Sequence, residues 1–334
     1  MGIVRTVLGD IDAAELGVTN AHEHLLIRAG VGVMLEPALH LDSVDKACQE
    51  LELFRKAGGR SIVDMMPVGT GRDAAGLVEV ARRTGVHVIA ASGFHQAKYY
   101  TRDHWIYHYS IDQIAQLFID DIEVGMDRHD YGGPIVERLP ARAGVLKAAT
   151  DQHTILPIYE KLFAAVAIAH RRTGAPISTH TTYGTMALEQ VELLGKHGVP
   201  ADAIIIGHVD RNLDLGYHKA IASTGAYLCY DGPSRVQYYT DEAIARTIAA
   251  MFESGYGDRI LLGSDLAKRS SRVSYGGGPG LGYLLNVFVP RLAEQGLDQT
   301  AIERILVANP ARALALYHTR EAAGQAEARR DKAG

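Results

Sequence analysis

Eight times along this chain a short apolar run suited to a β-strand gives way to a longer stretch with helical periodicity. No other feature restricts the fold as much. The strand candidates are residues 17–24, 61–66, 86–93, 142–148, 175–180, 203–208, 226–231 and 259–265. Helix-like stretches lie near 42–57, 73–84, 111–125, 156–173, 184–197, 214–224, 241–255 and 281–296. Asp42 and Asp73 stand where N-caps belong, and Asn309-Pro310 suits the N-cap and first position of a terminal helix. Strands separated by helices pair in parallel, as an open doubly wound sheet or as a closed barrel. No GxGxxG follows the first strand, so the dinucleotide fingerprint of the open sheet is missing. Ionisable residues end strands one, four, five, six and eight, as in a barrel whose one mouth carries the site. The expected fold is therefore α/β, a (β/α)8 TIM barrel forming one domain over residues 1–320, with a polar tail at 321–334.

Composition narrows the partners. Hydrophobic residues make up 47% of the 334 and charged residues 22%, the balance of a soluble globular protein. A net charge of −5 argues against nucleic acid, which calls for a basic surface. No apolar run reaches the roughly 20 residues of a membrane span, and the first residues lack a signal-peptide pattern, so a cytoplasmic location and no membrane partner are expected. Cys48 and Cys229 are far apart and in no CxxC pair, which argues against a cysteine metal site or a disulfide framework.

The strand ends hold the chemistry. His22 and His24, two apart on the first strand, point to one face. Alone such a pair is weak. His180 ends the fifth strand, His208 the sixth and Asp265 the eighth, and four imidazoles with one carboxylate suit a divalent cation of borderline hardness. Lys147 ends the fourth strand in the apolar run AGVLKAAT. A buried lysine loses its charge easily, and a neutral amine can take up carbon dioxide as an anionic carbamate able to bridge two cations. A lysine that merely reaches solvent fits the same run.

NAHEHLL, RAGVLKAAT, ISTHTT, IIGHVDRN and LLGSD, in that order, resemble the phosphotriesterase family of the amidohydrolase superfamily, from residue 18 to the NPAR at 309–312. The resemblance implies an amidohydrolase-like barrel with two divalent metals, zinc first, with manganese or cobalt as alternatives. It places His22, His24 and Asp265 on the more buried metal and His180 and His208 on the other, bridged by carboxylated Lys147. A metal-bridging hydroxide would attack the substrate, and Asp265 would take its proton. Such relatives are often homodimers.

The substrate must be read from the loops. After strand eight, Lys268, Arg269, Arg272 and Tyr275 offer charge and a hydroxyl to a phosphate, and Arg235 after strand seven could close on it. GHVDRNLDLGYH and CYDGPSR resemble the branch that opens phosphorylated sugar lactones. Gly232 departs from the histidine of the triesterases and the arginine of the acyl-homoserine lactonases at that place, and Arg235 stands where the chosen branch favours lysine. Residues 94–110 bring His95, Lys98, Tyr99 and Tyr100 toward a small-molecule substrate, while His104, Trp105 and His108 pack the loop. Asp64 is expected to orient a ligand histidine, and Gly276 to Gly278 to form a hinge. The expected activity is opening of a small, phosphorylated sugar lactone. The alternatives are a carboxylesterase or N-acyl amidohydrolase with side activity on phosphotriesters, and a catalytically idle binding protein.

Overall fold

Each of the eight apolar runs forms a strand, usually shorter than the run. The computed structural model describes residues 2–318, so the tail at 321–334 lies outside them. Its strands are β1 (Ile3–Thr6), β2 (Gly9–Asp12), β3 (Thr19–Glu23), β4 (Ser61–Asp64), β5 (His87–Gly93), β6 (Val145–Ala149), β7 (Ile177–His180), β8 (Ile204–Ile206), β9 (Tyr227–Tyr230) and β10 (Ile260–Leu262). The helices that matter below are α1 (Val31–Leu35), α2 (Val44–Lys56), α3 (Ala74–Thr84) and α4 (Trp105–His108). Strands β3 to β10 pair in chain order and all in parallel.

The eight-stranded sheet nearly closes on itself. At the seam the amides of Ser264 and Asp265, just past β10, both donate to the His22 carbonyl at 3.1 Å. Asn20 on β3 donates to Ser264 Oγ at 2.9 Å. The (β/α)8 barrel is thus drawn together at residues of the candidate site.

Period-two alternation splits the strands into two apolar layers. Ile62, Val88, Leu146, Ile177, Ile206, Leu228 and Leu262 face the helices, while Ala21, Val63, Ile89, Val145, Ile205, Cys229 and Leu261 fill the barrel. The antiparallel β1–β2 hairpin, which the hydrophobic pattern did not reveal, plugs the N-terminal end: Val4, Ala13 and Leu16 join the inner layer, and the Val7 amide donates to the Val88 carbonyl.

Three local expectations are corrected. Asp73 does cap α3, accepting from the Gly76 amide at 2.9 Å, but Ser43 rather than Asp42 caps α2, and Asp42 pairs with Arg269 at 2.9 Å. Asn309 lies inside its helix, its buried side chain donating to the Gly257 and Ile260 carbonyls at 2.8 Å each. Gly276, Gly277 and Gly278 form no loose hinge: their amides donate to the carbonyls of Val273, Arg272 and Ser270 at 2.9–3.0 Å. Glu50 anchors the same loop through the amides of Ser274 and Leu281.

Candidate active site

Six side chains named from the sequence converge at the C-terminal mouth. His22 on β3 and His24 just past it follow a register shift between Asn20 and Glu23, where β3 carries one residue more than β4, a bulge that re-aims side chains. Lys147 lies within β6 and His180 ends β7. His208 and Asp265 sit just past β8 and β10 with φ of 60° and 48°. Left-handed backbone at non-glycine residues costs on the order of 1 kcal/mol, and it turns both side chains back over the barrel. Gly263 permits the crowding, since a Cβ there would lie 2.8 Å from the Cβ atoms of both His22 and Asp231.

Asp265 is the hub. Its Oδ1 is 3.2 Å from His24 Nε2 and 3.8 Å from His22 Nε2, and its Oδ2 is 3.8 Å from His208 Nδ1. Donor atoms of His22, His24 and Asp265 all lie within 4.8 Å of one another, as do those of His208, Asp231 and Asp265. The His180 ring joins at 4.5 Å from that of His208. Lys147 Nζ, 1% exposed with its residue, donates to the Met65 carbonyl at 3.0 Å.

Burial sets the protonation. It depresses His24 to about 4 and His208 to about 3, and holds His180 well below the ordinary range, so these imidazoles stay neutral with lone pairs available. Burial likewise lowers Lys147 to about 8, against the pull of Asp265, Asp231 and Asp64. Burial opposes ionisation of Asp265, but the Arg235 guanidinium and the surrounding histidines outweigh it and keep the carboxylate charged.

These residues fit a divalent cation. Nε2 and Nδ1 of His22 and Nδ1 of His24 are buried without a hydrogen-bond partner. His22 Nδ1 is 3.1 Å from Asp231 Oδ2 yet lacks hydrogen-bond direction. Neutral imidazoles with unused nitrogens beside an ionised carboxylate are the donor set such an ion requires.

Several supporting residues escaped the sequence reading. Asp231 accepts from His208 Nδ1 at 2.6 Å and from the His208 amide at 3.0 Å, which fixes that ring. Glu23 accepts from the amides of His24 and Leu266 and from Arg272. Asp210 accepts from the Gly232 amide at 2.6 Å, and burial beside Asp231 pushes it up to about 8. Asp64 was expected to orient a histidine; it instead holds backbone, accepting from the Leu25 amide at 2.6 Å and that of Met66 at 3.1 Å. Glu23 and Asp210 neighbour ligands within HEH and HVDR, and that adjacency was the available signal; Asp231 and Asp64 have no ligand beside them in sequence.

Above the cluster opens a cavity of about 340 Å³, bordered by His24, Lys147, His180, His208 and Asp265 and walled by Tyr99, Tyr183 and Tyr238. Lys98, Tyr99 and Arg235 line it, as do Arg211, Lys268 and His95. Arg272 and Tyr275 do not. Arg272 is 2% exposed and donates to Glu23 Oε2 at 2.7 Å and to the His24 carbonyl, with Nε and Nη1 unpartnered. The Tyr275 hydroxyl accepts from the Ser43 amide at 3.2 Å, and its ring lies under the Lys46 ammonium. Tyr100 also turns away, accepting from the His95 amide and donating to the Val68 carbonyl.

Residues 2–314 match the model of the phosphotriesterase family. The chain belongs to that family. With membership comes the class of chemistry, hydrolysis of ester bonds. A phospho-furanose lactonase of Mycoplasmopsis synoviae (strain 53) is 37% identical over 326 residues, covering 95% of this chain and 92% of the relative. Among solved structures, an amidohydrolase from Mycoplasma synoviae superposes with a TM-score of 0.92 at 36% identity, covering 94% of this chain and 92% of that one. A lactonase from Listeria monocytogenes gives 0.87 at 32% identity, covering 94% and 99%. The barrel seen here is the fold these structures share.

Proposed function

We propose that this protein opens a small, phosphorylated sugar lactone at a two-metal centre. One observation carries the reading: directly above the histidine cluster, the cavity lining holds Lys98, Arg211, Arg235 and Lys268 against the carboxylates of Glu36 and Asp265. Such a cavity favours an anionic substrate. The lactonase names of the relatives support the ester that is cut.

His22, His24 and Asp265 would hold one cation, and His180 and His208 the second, with Lys147 as its carbamate between them. A divalent pair, when bound, supplies Lewis acidity and lowers the pKa of water toward about 7. The chain's own residues do the remainder. Asp231 locks the His208 ring, and Asp64 and Glu23 fix the backbone around His24. Asp265, ionised and central, would accept a proton from the attacking water and deliver it to the ring oxygen, which leaves as the sugar hydroxyl when the acyl–oxygen bond breaks. Tyr99, Tyr183 and Tyr238 would wall the sugar, and the basic side chains of the lining would take its phosphate. We further propose a cytoplasmic enzyme; among the described residues no helix is long and apolar enough to cross a membrane.

The test is a lactone panel assayed by proton release with zinc-loaded protein. Phosphorylated aldonolactones should exceed their dephosphorylated forms in kcat/KM by about 100-fold, the effect of a desolvated charge-assisted anion contact. Equal values would remove the phosphate from the reading. Turnover confined to aryl esters or N-acyl amides would replace the lactone. Lys147→Ala should lose activity and regain part of it with added short carboxylates.

A further inference from the structure

Among the described residues of the cavity lining, His95 is the one histidine outside the candidate ligand set. The chain leaves β5 at Gly93, whose φ of 91° carries it close over β6. A Cβ at Gly93 would collide with the Lys147 carbonyl, so the position requires glycine, and the Phe94 amide donates to that same carbonyl at 3.0 Å. His95 is thereby set beside the histidine cluster. Its ring lies 4.9 Å from that of His180 and 4.5 Å from that of Tyr99.

The loop fixes which nitrogen of His95 carries the proton. The Gln96 amide, which can only donate, lies 2.7 Å from Nδ1, so Nδ1 accepts. An imidazole whose Nδ1 accepts has its proton on Nε2. Among the described residues Nε2 meets no hydrogen-bond partner, and the ring borders the cavity. The surrounding backbone is clamped. The His95 amide donates to the Tyr100 hydroxyl at 2.8 Å, and the Ala97 amide to that of Tyr159 at 3.0 Å. Gln96, 3% exposed, donates from its side chain to Asp151 Oδ1 at 2.7 Å and to Thr182 Oγ1 at 2.9 Å. Turning the ring over would set a C–H group against the Gln96 amide and leave that donor unmatched, which is costly.

We propose that His95, held in its Nε2–H tautomer by the Gln96 amide, is a catalytic residue that donates a hydrogen bond to the carbonyl oxygen of the ester. When water adds to that carbonyl, the π electron pair moves onto oxygen and makes it a far stronger acceptor. A donor already fixed in place stabilises the charge without reorganising. On collapse the pair returns, the ring C–O bond breaks, and the proton stays on Nε2 throughout. The proposal rests on the lactonase reading for the identity of the ester. The donor itself serves any carboxylic ester seated at the same place.

Isotopic labelling of the histidine nitrogens in zinc-loaded protein, measured by NMR, reads the tautomer directly, with His95→Phe to assign the signal. At neutral pH His95 should show a protonated Nε2 and a bare Nδ1. The reverse pattern, or two protonated nitrogens, would overturn the proposal. On the lactone panel His95→Phe should keep its zinc and lose about 100-fold in kcat, the effect of removing one oxyanion donor, with KM changed less than about 3-fold. His95→Gln, which offers an amide N–H in place of the ring, should regain at least about 10-fold of that loss. Loss of zinc from His95→Phe, an effect carried by KM alone, or no recovery in His95→Gln would overturn the catalytic role. If wild type opens no lactone but cleaves aryl carboxylate esters with the same dependence on His95, the donor stands and the lactonase reading fails. A wild type that cleaves neither overturns both.

Discussion

Arg235 and Arg272 carry the same charge in consecutive loops at one mouth of the barrel, and they end in opposite places. Arg235 reaches over the cavity to Asp265. Arg272 turns beneath it to Glu23 and the His24 carbonyl. The difference is made by the carboxylates each can reach. Glu23 lies on β3 with its charge fully buried, and burial alone would push its pKa up; the Arg272 guanidinium opposes that shift. Arg235 finds only a carboxylate that the histidine cluster also needs. One arginine is therefore held by the frame, while the other lines the cavity, where we propose it meets a ligand. A basic loop announces charge, and its partners decide the use.

That contrast can be broken from either side. The largest effect should come from Arg272→Ala, which leaves Glu23 buried and unpaired. Urea unfolding should show a loss of about 3–5 kcal/mol, and a variant that unfolds normally but binds phosphorylated lactone poorly would reverse the assignment. Arg235→Ala should retain its fold and lose about 100-fold in kcat/KM on a phosphorylated lactone, roughly 2.7 kcal/mol, chiefly through KM. A collapse in unfolding free energy instead would make it a frame residue like Arg272. Tyr275→Phe removes one hydroxyl that accepts from the Ser43 amide. It should cost about 1 kcal/mol of stability, with KM unmoved. Smallest of all should be Lys268→Met, since its pair with Glu36 is 44% and 45% exposed. A stability change under about 1 kcal/mol is expected there, and a larger one would show that the cavity rim is structurally coupled.

The fold was readable because it repeats. Eight apolar runs and the helices between them carry the barrel in their periodicity, and all six candidate ligands fall at the mouth because strand ends are easily recognised. The hairpin β1–β2 was not readable, since GDID in β2 has no apolar alternation and gains its place through Val4 and Leu16 packing under the barrel. Arg211 was visible within HVDRN, yet its closeness to Arg235 and Tyr238 arises only when β8 and β9 stand side by side. That Arg272 and Tyr275 find partners outside the cavity lining has a similar origin: Glu23 and Ser43 lie more than 200 positions away in sequence, and no spacing rule links them. Asp64 likewise announces a buried acid but not whether it bonds a ring or a backbone amide. Local pattern fixes which residues reach the mouth, and long-range pairing fixes which of them remain free.

Metal content tests the central claim most directly. Protein purified, stripped and reloaded with zinc and bicarbonate, then measured by elemental analysis, should hold two zinc ions per chain, and Lys147→Ala at most one. Wild-type protein that binds fewer than two, or a Lys147→Ala variant that keeps both, would contradict the two-metal centre.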